Sequence, residues 1–176
     1  LALLRAANRL PLGVCDPGLH AQGISLWEGL AVLGDDAVLN RYGPQQVDLV
    51  LGVGQLPRDP ARAGLYGAFN ARGFSFPPLV HPDAWVSPDA VLADGVQVMA
   101  GAIVQPGCSI GPNTIVNTRA SVDHDCRLGA NVHVAPGAVL CGAVTVGDHA
   151  FIGAGAVVTQ GLRVGQQAIV GAGVTL

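Results

Sequence analysis

From Val80 onward the chain holds a six-residue period without a failed step: Val80, Val86, Leu92, Val98, Val104 and every sixth residue to Leu176 are aliphatic. A small or aliphatic residue stands two places earlier, as at Ala84, Ala102, Cys108, Ala120, Cys126 and Ala138, and glycine often follows, as at Gly111, Gly129, Gly147 and Gly153. An amphipathic α-helix needs apolar residues three and four apart, and a half-buried strand needs them every second residue, so a bare period of six suits neither. It suits a flat-sided coil. With one hexapeptide per side, the aliphatic residue points inward, the small residue fills the corner, and the glycine is expected to serve the backbone of the turn. The pattern reads as a parallel β-helix. Val80 to Leu176 is 97 residues, a little over five coils of eighteen, with no long loop between them. Residues 80–176 are therefore one domain.

Before Val80 the period disappears, and residues 1–79 carry the signals of an α/β unit. "LALLRAANRL" reads as the end of an amphipathic helix, "PLGVCDPG" as a short strand ending in a turn, and "VDLVLGVG" as a buried strand with glycines at its carboxyl end. "PARAGLYGAFNARG" reads as a helix opening after Pro60 and capped at Gly73. Alternating elements of these lengths predict a small parallel, Rossmann-like sheet, incomplete because the usual first strand with its glycine-rich turn is not in this sequence. Ligands of such sheets settle beyond the carboxyl ends of the strands, which selects Asp16, Gly52 and Gly54. The plainer reading is that they are turn residues.

Composition narrows the function. Nine arginines, no lysine and a net charge of -3 give no basic stripe, so nucleic acid is not expected as a partner. The apolar repeat never runs to eighteen unbroken residues, so no membrane span is expected. No secretory signal is visible, and Cys15, Cys108, Cys126 and Cys141 have no CxxC spacing. Cys108 and Cys126 fall on interior positions, so they read as core thiols of a reduced, cytoplasmic protein.

One segment of the repeat carries chemistry. "NTRASVDHDCRLGANVHVAPG", residues 117–137, places His124 between Asp123 and Asp125 and puts His133 nine residues on. An unperturbed imidazole titrates near pH ~6.5 and suits a general base. A neighbouring carboxylate raises its basicity and fixes its tautomer through the other ring nitrogen, a task open to either aspartate. Acyl transfer also needs an oxyanion donor, for which backbone N–H groups at a glycine turn such as Gly142 are candidates. His20, His81 and His149 read as solvated turn residues.

An α/β unit followed by coils bearing "NTRASVDHDC" and "NVHVAPGA" resembles the hexapeptide-repeat sugar acyltransferases of the sialic acid O-acetyltransferase type, a group that includes the N-acetyltransferases of UDP-linked 4-amino-sugars. The resemblance implies a left-handed coil, acetyl-CoA as acyl donor, a nucleotide-linked amino-sugar as acceptor and no metal. It makes His124 the catalytic base and the acidic residue after it the tuning group; family members commonly have Glu there, and this chain has Asp125. His133, Gly142, Ala154 and Ala172 match cofactor contacts, and Asn117 an acceptor contact. Acetyl transfer to an amine is preferred, with a sugar O-acetyltransferase as the alternative. Arg163 is the only cationic side chain after Arg127, so backbone groups or another chain must meet the charged part of CoA.

Two rivals come from other classes. A carbonic anhydrase-like metalloenzyme would draw on His124, His133 and His149, whose spacings do not resemble that family's. A solenoid without catalysis is the other. Assembly follows from the spacing: nine residues are half a coil, so His124 and His133 project from different parts of one chain's perimeter. If both serve one transfer, they meet between chains, which predicts a closed homotrimer with active sites between subunits.

Overall fold

Each hexapeptide contributes a two-residue strand, one side chain out and one in, because neighbouring residues of a strand face opposite sides. In the computed structural model, which describes residues 1–176, these strands run from Leu79–Val80 to Ile169–Val170. They stack in parallel sheets of six, five and five strands. The register advances one coil per strand: His133 lies opposite Ile115 on one side and Phe151 on the other. The six-stranded sheet, through Gln97, Ile115, His133 and Phe151, is the first face; the sheet beginning at Trp85–Val86 is the second, and that beginning at Val91–Leu92 the third. Three parallel sheets built of hexapeptides are consistent with the left-handed coil that the resemblance implies.

The inward column is the core. Val98, Val104, Val116, Val122, Val134, Leu140, Ile152 and Val158 are each 0 % exposed, and the small interior residues Ala102, Ala120, Ala138 and Cys126 match them. Burying a Val or Leu side chain contributes about 1.5–3 kcal/mol, so this column dominates the stability of the coil. Thr114, on the same interior row, is tolerated because its Oγ1 donates to the Gly129 carbonyl at 2.9 Å and accepts the Val132 N–H at 3.0 Å.

The glycines after the aliphatic positions have a different cause from the one expected. Left-handed backbone falls instead on the second residue of each corner, at Gly107, Asn113, Arg119, Asp125, Asn131, Gly137 and Ala143 among others. Gly111, Gly147 and Gly153 are glycine because the next coil passes too close. A Cβ there would lie 2.5 Å from Gly129 C, 2.6 Å from Gln166 N and 2.5 Å from Ala172 N respectively.

The amino-terminal part departs from the expected parallel sheet. Val14–Cys15 pairs parallel with Leu30–Gly34, but Leu30–Gly34 pairs antiparallel with Leu26–Trp27. "VDLVLGVG" forms no strand. Its backbone groups are taken by other partners: Leu49 N–H donates to Ser75, and Leu51 C=O accepts from Gln97 Nε2 at 2.9 Å and from Arg62 Nη1 at 3.3 Å. Val53 C=O also accepts from Arg62 Nη1, at 2.7 Å. The segment is thus tied to the first face. The helix after Pro60 spans Ala61–Asn70. Gly73, at φ 86°, closes it, with Gly73 N–H donating to Asn70 and Phe74 N–H to Phe69, the pairing of a Schellman cap.

Candidate active site

His124 and Asp125 form the corner between Ser121–Val122 of the second face and Arg127–Leu128 of the third. Asp125 has φ 60°, the corner conformation that Gly107 and Gly161 adopt in the same column, and Asp is among the few residues whose short polar side chain tolerates it. That backbone turns its carboxylate onto the preceding residue: His124 Nδ1 lies 2.8 Å from Asp125 Oδ2. A carboxylate only accepts, so Nδ1 carries the hydrogen, and Nε2 of the neutral ring keeps its lone pair. Asp123 has a separate task. Its Oδ1 accepts the backbone N–H of His124 at 2.8 Å. The hydrogen bond to Asp125, followed by the charge of Asp123, raises the imidazole above its ordinary pKa of 6.5, with the side chain open to solvent.

Gly142, one coil beyond His124, is buried. The imidazole lies against it, so that a Cβ at Gly142 would sit 2.6 Å from both Cε1 and Nε2 of His124.

His133 lies elsewhere, in the outward row of the first face. Only 7 % of it is exposed, and its ring stacks on Phe151 with centroids 4.8 Å apart and planes 9° apart. Asn117 Oδ1 accepts the Thr118 N–H at 2.7 Å, which turns Asn117 Nδ2 toward His133 Nε2 at 3.4 Å. His133 Nδ1 is buried without a partner. Burial first, then the positive charge of Arg62, lowers the pKa of His133 to about 4, so this imidazole is neutral at physiological pH.

The chain therefore brings together His124, Asp125 and Gly142 in one place and His133 with Asn117 in another. Ala154 and Ala172, one coil apart, are exposed at the corner between the first and second faces. Asp16 caps the helix Pro17–Ala21, its Oδ1 accepting the Leu19 N–H at 2.8 Å, and Gly52 is exposed in the segment expected to be a strand. His149 sits at the corner between the third and first faces, so His124, His133 and His149 do not meet within one chain. Two residues escaped the sequence reading. Phe151 carries a signal, because it lies eighteen residues from His133 and so stacks on it; Arg62 carries none, since its burial depends on how the amino-terminal segment docks.

A β-helix of hexapeptides with an exposed histidine–carboxylate pair at a corner defines an acyltransferase type of protein. Two family models match the coil: "Bacterial transferase hexapeptide (six repeats)" over residues 107–142, and "Hexapeptide repeat of succinyl-transferase" over residues 143–176. The chain is 36% identical to the acetyltransferase domain of PglB from Neisseria gonorrhoeae, with a TM-score of 0.90 over 99% of this chain and 83% of that one. A structure of the same domain in complex with acetyl coenzyme A matches at 41% identity and a TM-score of 0.79, over 85% of this chain and 71% of that one. A variant of perosamine N-acetyltransferase from Caulobacter crescentus, in complex with CoA and GDP-perosamine, matches at 37% identity and a TM-score of 0.88, over 99% and 80%. No curated protein matches by sequence. The chain belongs to the hexapeptide-repeat amino-sugar acetyltransferases, the family of the PglB domain and perosamine N-acetyltransferase. No helix is long and apolar enough to cross a membrane.

Proposed function

We propose that this protein transfers the acetyl group of acetyl-CoA to the amine of a nucleotide-linked amino-sugar, with His124 as general base and Asp125 as the residue that orients it. The observation carrying the proposal is the 2.8 Å contact between His124 Nδ1 and Asp125 Oδ2, which leaves Nε2 unprotonated on a side chain that is 60% exposed. Nε2 takes a proton from the acceptor nitrogen as that nitrogen attacks the thioester carbonyl. The tetrahedral intermediate then collapses, breaking the carbon–sulfur bond, and the proton passes to the departing CoA sulfur. Asp125 stabilises the imidazolium formed in between without taking its proton. The relatives bound to acetyl-CoA, CoA and GDP-perosamine support both substrate classes.

In this reading Ala154 and Ala172 line the path of CoA, because their small exposed side chains let a ligand approach the backbone of the corner. Asn117 and the neutral His133 present polar edges to the reacting groups, and Asp16 and Gly52 face the nucleotide. A homotrimer brings His124 of one chain to His133 of the next. Four free thiols accord with a cytoplasmic setting.

The test is release of CoA thiol from acetyl-CoA across a panel of nucleotide sugars. UDP-linked 4-amino-sugars are expected to rank highest and sugars without a nucleotide to be poor acceptors. A free amino acid as best acceptor overturns the substrate class, and a hydroxyl sugar as best acceptor replaces N-acetyl with O-acetyl transfer.

A further inference from the structure

Two side chains, Asp123 and Asp125, bear on the proposed base, and the two positions without side chains around it are equally particular. Gly107 lies one coil before Asp125 and Gly142 one coil after His124. A Cβ at Gly107 would sit 2.5 Å from Asp125 Oδ1; one at Gly142 would sit 2.6 Å from His124 Cε1 and Nε2. Non-bonded carbon atoms settle near 3.5–4.0 Å, so neither side chain keeps its place if either glycine gains a methyl group.

The causes differ. Gly107 has φ 71°, so its backbone alone favours glycine. Gly142 is not in the left-handed region, and its neighbour Ala143, at φ 59°, takes that conformation instead. Nothing in the backbone requires glycine at 142. What requires it is the imidazole, whose Cε1 and Nε2 occupy the space a Cβ would need.

The geometry points to Gly142 as the positioning residue for His124: its missing side chain is the floor on which the imidazole rests while Nδ1 faces Asp125, and Gly107 clears the matching space for the Asp125 carboxylate. This differs from contact with the acyl donor, the role that the resemblance implies for Gly142. It deepens the proposed function and rests on His124 being the base.

Because the atoms in the way are the far ends of side chains, the fold yields by moving the imidazole and not the coil. A methyl group at 142 thus leaves stability nearly unchanged and costs the alignment of the base. Misplacing a catalytic group by about 1 Å commonly lowers the rate about a hundredfold.

The experiment is Gly142→Ala in the full chain, read in three ways. Turnover is expected to fall about a hundredfold with the KM for acetyl-CoA within about twofold of wild type. The His124 imidazole, titrated by NMR, is expected to move from its raised pKa back toward 6.5 as the Asp125 contact loosens. In a His124→Ala background, Gly142→Ala is expected to cost nothing further. As a second variant, Gly107→Asn keeps the left-handed backbone and displaces Asp125 instead; it is expected to lower the His124 pKa as well. A raised KM for acetyl-CoA with unchanged turnover and unchanged His124 titration assigns Gly142 to donor binding and overturns the proposal. So does a full further loss in the His124→Ala background. If wild-type protein releases no thiol with any acceptor, the functional reading fails, while the NMR titration of the two glycine variants still decides whether the floor exists.

Discussion

His133 and Phe151 stack face to face across adjacent coils, their planes 9° apart and centroids 4.8 Å apart, with the histidine 7 % exposed. A charged ring would be poorly solvated there, which is why burial, aided by the positive charge of Arg62, lowers its pKa to about 4. A residue of the coil, Phe151, and one of the helix Ala61–Asn70, Arg62, thus act on one imidazole.

The consequence for stability has a definite sign. Unfolded His133 binds a proton near pH 6.5, whereas the folded ring waits until about pH 4, so between those values the unfolded chain holds more protons. Its contribution is complete above pH 6.5 and is lost as the pH falls toward about 4. Thermal unfolding followed from pH 7.5 to 4 is expected to show a shallower decline in His133→Asn than in wild type. Arg62→Met removes the neighbouring charge, lets the folded pKa rise toward 6.5, and is expected to make the decline smaller and end it at higher pH. Identical slopes in all three proteins would mean that His133 titrates normally.

For His124 the direction is opposite. Asp125 and Asp123 hold its pKa above 6.5, and a base works only when deprotonated, so kcat/KM is expected to rise with pH through that raised value. Asp125→Asn removes the larger cause and moves the rise to lower pH. His124→Ala is expected to lower kcat by a hundredfold or more, as general bases contribute about 10² to 10⁴, while Asp125→Ala costs less. Wild-type turnover in His124→Ala would exclude it as the base.

The coil was legible because its period is a property of neighbours in sequence: Val122 and Leu140 each mark one turn of the coil and both are fully buried. So was the corner. His124 and Asp125 are adjacent in the chain, and the hydrogen bond between them is local. What depended on long-range docking was not legible. "VDLVLGVG" has the composition of a strand, but Gln97, forty-six residues from Leu51, and Arg62 take up its carbonyls. The spacing glycines stand out in the sequence but their reason does not, since the close approach of Gly111 to Gly129 belongs to stacking and not to the turn.

The same stacking predicts where mutations are felt. Leu140 is 0 % exposed in the middle of the coil, whereas Leu176, on the same period, is 47% exposed at its end. Leu140→Ala is expected to cost about 2–5 kcal/mol in denaturant unfolding, through lost burial and an uncollapsed cavity between coils. Leu176→Ala should cost less than about 1 kcal/mol, as exposed substitutions do. Equal costs would contradict a core shared between neighbouring coils.

The proposed assembly rests on the separation of the two histidines. His124 stands at the corner of the second and third faces with an open imidazole, while His133 lies in the first face, so the second face separates them on one side and the third face on the other. That second face presents Trp85, 48% exposed, and Ile103, 38% exposed, one coil apart and outward. Apolar outward residues on a flat face suit contact with another copy, and a closed ring of three such prisms repeats one interface three times. In that ring an open corner and a first face from different chains border one cleft. If the proposed trimer closes through this face, Trp85→Glu is expected to give smaller species than wild type in light scattering. The sharper test mixes inactive His124→Ala and His133→Ala chains, unfolds them partially and reassembles them. Mixed trimers contain clefts in which an intact His124 meets an intact His133, so part of the activity should return. An active monomer, or mixed trimers that form and stay inactive, would assign each acetyl transfer to residues of a single chain.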